Sequence, residues 1–181
     1  AGLNGSTQSQ GGDGAFTMFD QGADKYYISN YVNNDNINLR FFGSGVVRNI
    51  ITEGAGNGAF IAPMALDFNQ DVLYSDYTTP PPTIVYQIAR YRNIKSGTVN
   101  KTILTNALLT TAPTAFAVSP YTTTSTTLLV GTRLGKLLKI TTANSIPVWS
   151  DISSPQFVGS ISDIEYGSSN NEIFVTMHNY N

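Results

Sequence analysis

One pattern occurs four times along this chain: a short strand of small and apolar residues, a polar bend of four to eight residues, then a stronger strand. The copies are Ala15–Tyr31 (AFTMFDQGADKYYISNY), Ala62–Tyr77 (APMALDFNQDVLYSDY), Ala115–Arg133 (AFAVSPYTTTSTTLLVGTR) and Ile161–Tyr180 (ISDIEYGSSNNEIFVTMHNY). The residues expected to open the bends, Asp20, Asp67, Ser119 and Glu165, stand 47, 52 and 46 positions apart. A strand-built repeat of roughly 40–50 residues is the period of propeller blades, because one copy cannot bury its apolar face until a neighbour stacks on it.

Further strand-like runs lie between these hairpins. Ile37–Phe42, Thr83–Tyr91 and Lys136–Thr142 follow the hairpins and are expected as outer strands. Val46–Thr52, Asn100–Thr105 and Pro147–Ser153 precede the next hairpin and are expected as inner strands. The sequence therefore predicts an all-β fold, a partial β-propeller of about four four-stranded antiparallel blades near 12–45, 46–95, 98–142 and 147–181, the first and last incomplete. Fourteen strands in this arrangement are too few to close a ring. Exposed blade faces and sheet edges are then expected, together with self-association or further blades to cover them.

Composition narrows the function. Charged residues make up 12% of the 181, against a usual share of about 25%. With a formal net charge of −2 and ten scattered Lys and Arg, the chain lacks the basic stripe of a nucleic-acid binder. It has no cysteine, which excludes disulfides, Cys-ligated zinc and thiol nucleophiles. No apolar run approaches the ~18 residues of a membrane helix. The chain opens at Ala1 without a signal-peptide pattern, as expected of a mature protein or an excised segment. Low charge with abundant Thr, Ser, Asn, Gly and Tyr predicts a secreted or cell-surface protein.

Several short segments resemble a known family. Gly11–Phe16 (GGDGAF), with Met18–Asp20 and Tyr26–Tyr31, resembles a blade start in secreted bacterial propellers related to sortilin-like and bacterial-neuraminidase-repeat (BNR) glycosyl hydrolases. Trp149–Ile152 (WSDI), Ser160–Glu165 (SISDIE) and Glu172–Tyr180 (EIFVTMHNY) resemble later blades of the same family. The resemblance implies a secreted ring of seven or eight blades, or two facing rings. Some such relatives hydrolyse xyloglucan with two aspartates, and others only bind proteins or sugars. The family's aspartate-box turn, Ser-x-Asp-x-Gly-x-x-Trp, occurs in no blade here; Phe42–Gly45 and Arg133–Lys136 are its nearest traces.

The chemistry-bearing residues are few. Glycoside hydrolysis needs two carboxylates about 5 Å or about 6.5–9.5 Å apart. Asp13 and Asp163 are the catalytic candidates, since both are expected near the inner end of the ring. Asp20, Asp67 and Glu165 recur at matching positions and are expected to accept backbone N–H bonds in turns. Gly11–Gly14 lacks the strand-to-helix setting of a phosphate loop and reads as a turn. Of five arginines, Arg40, Arg90 and Arg92 fall on outer strands, while Arg48 and Arg133 remain, so no sialidase-like cluster is expected. The single histidine, His178, cannot make a multi-histidine metal site and is expected at an edge. Asn33–Asn38 (NNDNIN) is rich in oxygen ligands but reads as a hairpin turn, and neither metal nor cofactor is expected. Tyr26, Tyr27, Tyr31, Tyr74, Tyr77, Tyr86 and Tyr91 are expected to fill blade contacts, and Pro80–Pro82 to stiffen a loop. The sequence singles out no ligand-binding residue. The expected function is a non-enzymatic binding module for a glycan or protein. The alternatives are a half-site of a glycoside hydrolase and a structural domain that assembles through its blade edges.

Overall fold

The computed structural model describes residues 14–52 and 56–179. Every sheet is an antiparallel meander that pairs each strand with its neighbour in the chain. The first holds β1 (Gly14–Phe19), β2 (Tyr26–Tyr31), β3 (Asn36–Phe41) and β4 (Val47–Thr52), with a 3-10 turn at Val32–Asn34 between β2 and β3. The second holds β5 (Met64–Leu66), β6 (Val72–Asp76), β7 (Ile88–Arg92) and β8 (Asn100–Leu104). The third holds β9 (Pro113–Val118), β10 (Leu128–Thr132), β11 (Leu137–Thr141) and β12 (Val148–Asp151), and the fourth β13 (Ser160–Tyr166) and β14 (Ile173–His178). The first strands approach one another in sequence, β1 to β5, β5 to β9 and β9 to β13, which sets them along the inner side of the stack. The fold is all-β, a partial β-propeller without a closed sheet.

The blade limits move by one strand from those expected. Val47–Thr52 is the fourth strand of the first sheet, with Arg48 opposite Leu39 and Ile51 opposite Ile37, and not the inner strand of the second. Asn100–Leu104 and Val148–Asp151 close the second and third sheets in the same way. The link between β3 and β4 explains the shift. Gly43 and Gly45, at φ 75° and 67°, turn the chain straight back, while the longer stretch between β4 and β5 carries it to the next sheet. The first blade is consequently complete, and only the fourth is short, with two strands among the described residues.

The strand expected over Thr83–Tyr91 also starts later, at Ile88. Two backbone bonds continue beyond it, from Tyr77 N–H to the Gln87 carbonyl (2.9 Å) and from Thr79 N–H to the Val85 carbonyl (3.0 Å), before Pro80–Pro82 turn the chain. The loop from Thr79 closes on itself, with Val85 N–H donating to Thr79 Oγ1 (2.8 Å) and Thr79 Oγ1 donating to the Thr83 carbonyl (2.6 Å).

Among the described residues three apolar clusters fill the spaces between adjacent sheets. Tyr26, Ile28, Ile37 and Leu39 of the first sheet meet Met64, Leu73, Ala89 and Tyr91 of the second. Tyr74, Ile88 and Leu104 meet Leu128, Val130, Leu138 and Ile140 of the third. Ala115, Leu129 and Leu137 meet Ile161 and Ile164 of the fourth. Adjacent residues Leu73 and Tyr74 thus serve two different clusters, as do Leu128 and Leu129. Burying each such side chain contributes about 1.5–3 kcal/mol. At the third contact the approach is close: a Cβ on Gly131 would lie 2.4 Å from Ile161 Cγ2, so only glycine lets β13 seat there.

Candidate ligand cleft

The polar bends of the four hairpins lie at one end of the strands, and each closes with the same backbone bond. Asp20 N–H donates to the Tyr26 carbonyl, Asp67 to Val72, Ser119 to Thr127 and Gly167 to Glu172, all at 2.8–2.9 Å. Gly167, not Glu165, therefore opens the fourth bend; Glu165 sits within β13 opposite Phe174. The expectation for Glu165 fails because the short SSNN bend closes two residues later.

Side chains complete each closure. Asp20 accepts from Gly22 N (2.8 Å) and Lys25 N (2.6 Å), and Asp67 Oδ1 from Asp71 N (3.0 Å) and Val72 N (2.9 Å). Ser119 Oγ accepts from Tyr121 N (3.1 Å). In the fourth bend Glu172 reaches back from the far strand, its Oε2 accepting from Ser168 N and Ser168 Oγ, both at 2.7 Å. These bonds hold the Glu172 carboxyl below its usual range.

Neighbouring bends are bonded to one another. Gln70, held at φ 58°, accepts at Oε1 from Gln21 N and Gly22 N (each 3.0 Å), while its carbonyl accepts from the Tyr26 hydroxyl. Asn69 Nδ2 donates to the Thr123 carbonyl (3.3 Å). Ser119 Oγ donates to Asn170 Oδ1 (2.7 Å), and the Tyr121 hydroxyl to the Gly167 carbonyl. The four bends form one hydrogen-bonded chain across the stack.

A cleft of about 760 Å³ opens where the first three bends converge, within the usual range of ligand sites. Its apolar lining comes from Met18, Leu66, Val118 and Pro120, and its polar groups include Gln21, Gln70 and Ser119. Phe19 and Phe68 line it while remaining 56% and 47% exposed. Among the described residues the one ionisable group in the lining, Asp67, is buried and already bonded to the backbone of its own bend. The cleft is thus suited to an uncharged ligand surface.

The residues singled out in the sequence lie elsewhere. Asp13 falls outside the described residues, as does Gly11–Gly14 apart from Gly14. Asp163 is exposed on β13 and borders a separate hollow of about 330 Å³ with Glu165. Alternation sets these two residues on one face of the strand, their Cα atoms about 7 Å apart. None of the five arginines lines the main cleft. Arg40 and Arg92 lie on third strands, Arg48 stacks 5.1 Å from the Phe41 ring, and Arg133 is exposed in the β10–β11 turn. Arg90 is buried, and its Nη1 donates to the Ala143 and Ser145 carbonyls (both 2.8 Å), bolting the second sheet to the third. His178 is exposed at the end of β14. Tyr26, Tyr74, Tyr77 and Tyr91 are buried between blades, and Tyr27, Tyr31 and Tyr86 are half-buried.

At the opposite strand ends a second hollow, about 570 Å³, contains Asp76. Burial raises the Asp76 pKa, opposed by bonds from Thr78 Oγ1 (2.6 Å), Thr78 N (2.9 Å) and Ala59 N (2.7 Å). Every one of these donors belongs to the adjoining loops, so Asp76 acts as a clamp. Nearby, Asn34 of the NNDNIN segment turns inward and donates to the Asp76 carbonyl (2.6 Å) and Ser75 Oγ (3.0 Å).

Sequence reasoning missed Phe68 and Gln70. The available signal was the segment DFNQD, where an apolar residue stands inside an otherwise polar bend. Among the described residues no helix is long and apolar enough to cross a membrane. No family model and no curated protein matches the chain.

Proposed function

We propose that the chain is a non-enzymatic binding module of a secreted or cell-surface protein, and that its ligand enters the cleft between the first three bends. The observation that carries this reading is the pair of exposed phenylalanines, Phe19 and Phe68, beside an apolar lining that, among the described residues, holds no free charge. Rigid bends bonded to their neighbours pre-organise the cleft, which lowers the ordering entropy of binding. The apolar lining favours an aromatic or aliphatic side chain of a protein partner over a sugar, which would demand more hydrogen-bonding groups. The resemblance to BNR-type and sortilin-like propellers agrees with a secreted binding role and belongs to the same proposal.

A displayed random-peptide library panned on the full chain tests it. Enriched peptides should lose about tenfold in affinity on Phe68→Ala, the size expected for one aromatic anchor. Peptides that bind the Phe19→Ala/Phe68→Ala double variant as well as the parent would overturn the assignment of the cleft.

A further inference from the structure

N-linked glycans are attached at Asn-x-Ser/Thr with any residue but proline in the middle, since the transferase bonds the hydroxyl while the amide reacts. Among the described residues one site fits, Asn100-Lys101-Thr102; Asn4-Gly5-Ser6 also fits and lies outside them. Asn100 opens β8 and is exposed, and the chain reaches it through the exposed segment 96–98, where Gly97 sits at φ 88°. Alternation puts Asn100 and Thr102 on one face of the strand.

Two observations separate Asn100 from the asparagines that build the fold. Asn30 and Asn34 are buried, donating to the Ala62 carbonyl (3.2 Å) and Ser75 Oγ (3.0 Å), and Asn69 and Asn170 tie neighbouring bends together. Asn100 Nδ2 instead donates to the Thr98 carbonyl, two residues back, at 3.4 Å, longer than the usual range. An N-glycosylated amide keeps one N–H, so modification leaves that bond in place. Secondly, β8 is the outermost strand of the second sheet, whose two faces pack on the first and third sheets. Its outward rim is therefore a property of a blade with both neighbours present. Asn100 stands opposite Arg92, and Arg92 opposite Val72, which puts it at the bend end of the blade. Three strand spacings of about 4.8 Å set β8 roughly 14 Å outward of β5, so bulk on Asn100 stands outside the main cleft, whose lining has no residue of β8.

We propose that Asn100 is an acceptor site for an N-linked glycan, an inference that rests on the secreted reading of the chain. The donor is a polyprenyl-diphosphate oligosaccharide. Asn100 Nδ2 attacks C1 of its first sugar, and the N–C bond forms as the C1–O bond to the diphosphate breaks. The polyprenyl diphosphate leaves, and the amide proton passes to a base of the transferase. The same enzyme reads the Thr102 hydroxyl, which makes the site selective. Once attached, the glycan adds solvated bulk to the rim of β8 and supplements the charge of Lys101 in blunting that edge.

The test expresses the full chain behind a cleavable leader in a eukaryotic secretory host. Peptides are then mapped after peptide-N-glycosidase treatment in heavy-oxygen water, which marks each glycosylated asparagine as labelled aspartate. The label should appear at Asn100. Asn100→Gln, at an exposed site, should remove that glycan's whole mass while the chain is still secreted. Thr102→Val, which keeps the shape of the side chain and deletes the hydroxyl, should also abolish it, and Thr102→Ser should keep it. An unlabelled Asn100 in the secreted parent overturns the proposal, and labelling that survives Thr102→Val overturns the reading of the pattern. The same mapping on protein recovered from its native source separates the two inferences. Extracellular protein with an unmodified Asn100 overturns the glycan alone, whereas protein confined to the cytoplasm overturns the secreted reading and the glycan with it.

Discussion

The inner strand pairs of the stack and its last hairpin obey different rules of burial. All five residues of β10 are buried, and so are four of the five in β6. β14 instead alternates between half-buried and exposed at every step, and β2 of the first blade between buried and half-buried. A strand with a blade on each side must be apolar on both faces, so its sequence loses the period of two. A strand with one neighbour keeps that period. The pattern within a strand thus reports how many blades it touches.

The largest test of this contrast uses pH. Burial raises the pKa of Tyr26 and Tyr74 strongly and that of Tyr166 to about 12, and each lies at a different blade contact. Since the folded values exceed the ordinary phenol value of about 10, the associated stability is complete below pH ~10 and lost as pH rises through the folded values. Tyrosinate absorbance from these residues should therefore appear together with loss of near-UV circular dichroism. Their ionisation with tertiary signal intact would mean that the blade contacts are hydrated.

Side-chain truncation gives a smaller but cleaner contrast. Leu138→Ala, in a fully buried site between the second and third sheets, should cost about 3 kcal/mol in urea unfolding. Phe174→Ser, on the exposed face of the last hairpin, should change stability by less than about 0.5 kcal/mol. Equal effects would show that the Phe174 face is covered in solution.

Arg90→Met isolates the bolt between the two central blades. It leaves the Ala143 and Ser145 carbonyls without their donor and should cost about 2 kcal/mol with an unchanged urea m-value. A change below about 0.5 kcal/mol would mean that water replaces the guanidinium.

Much of the fold was legible in the residues. The recurrence of the hairpin marked the strands, and Asp20 and Asp67 take the turn role expected of a short carboxylate. The grouping of strands into blades was less legible, because β4 reads equally well as the end of one sheet or the start of the next. Glu165 was misplaced for a related reason: the bend opens where the backbone bond closes, at Gly167, and composition does not mark that point. The cleft was hidden because Phe19, Gln21, Phe68 and Gln70 converge from two repeats, although each looks ordinary in its own hairpin.

By itself the sequence determined the strand count, the bend chemistry and the dependence of each hairpin on a neighbour, since these follow from local alternation and short-range backbone bonds. Only the tertiary structure decided which strands share a sheet, which side chains meet at the cleft, and which blade contacts are bolted by side chains such as Arg90. Those outcomes depend on hydrogen bonds and packing between segments some fifty residues apart, such as Gln21 with Gln70 and Arg90 with Ala143, and no local pattern encodes their distance.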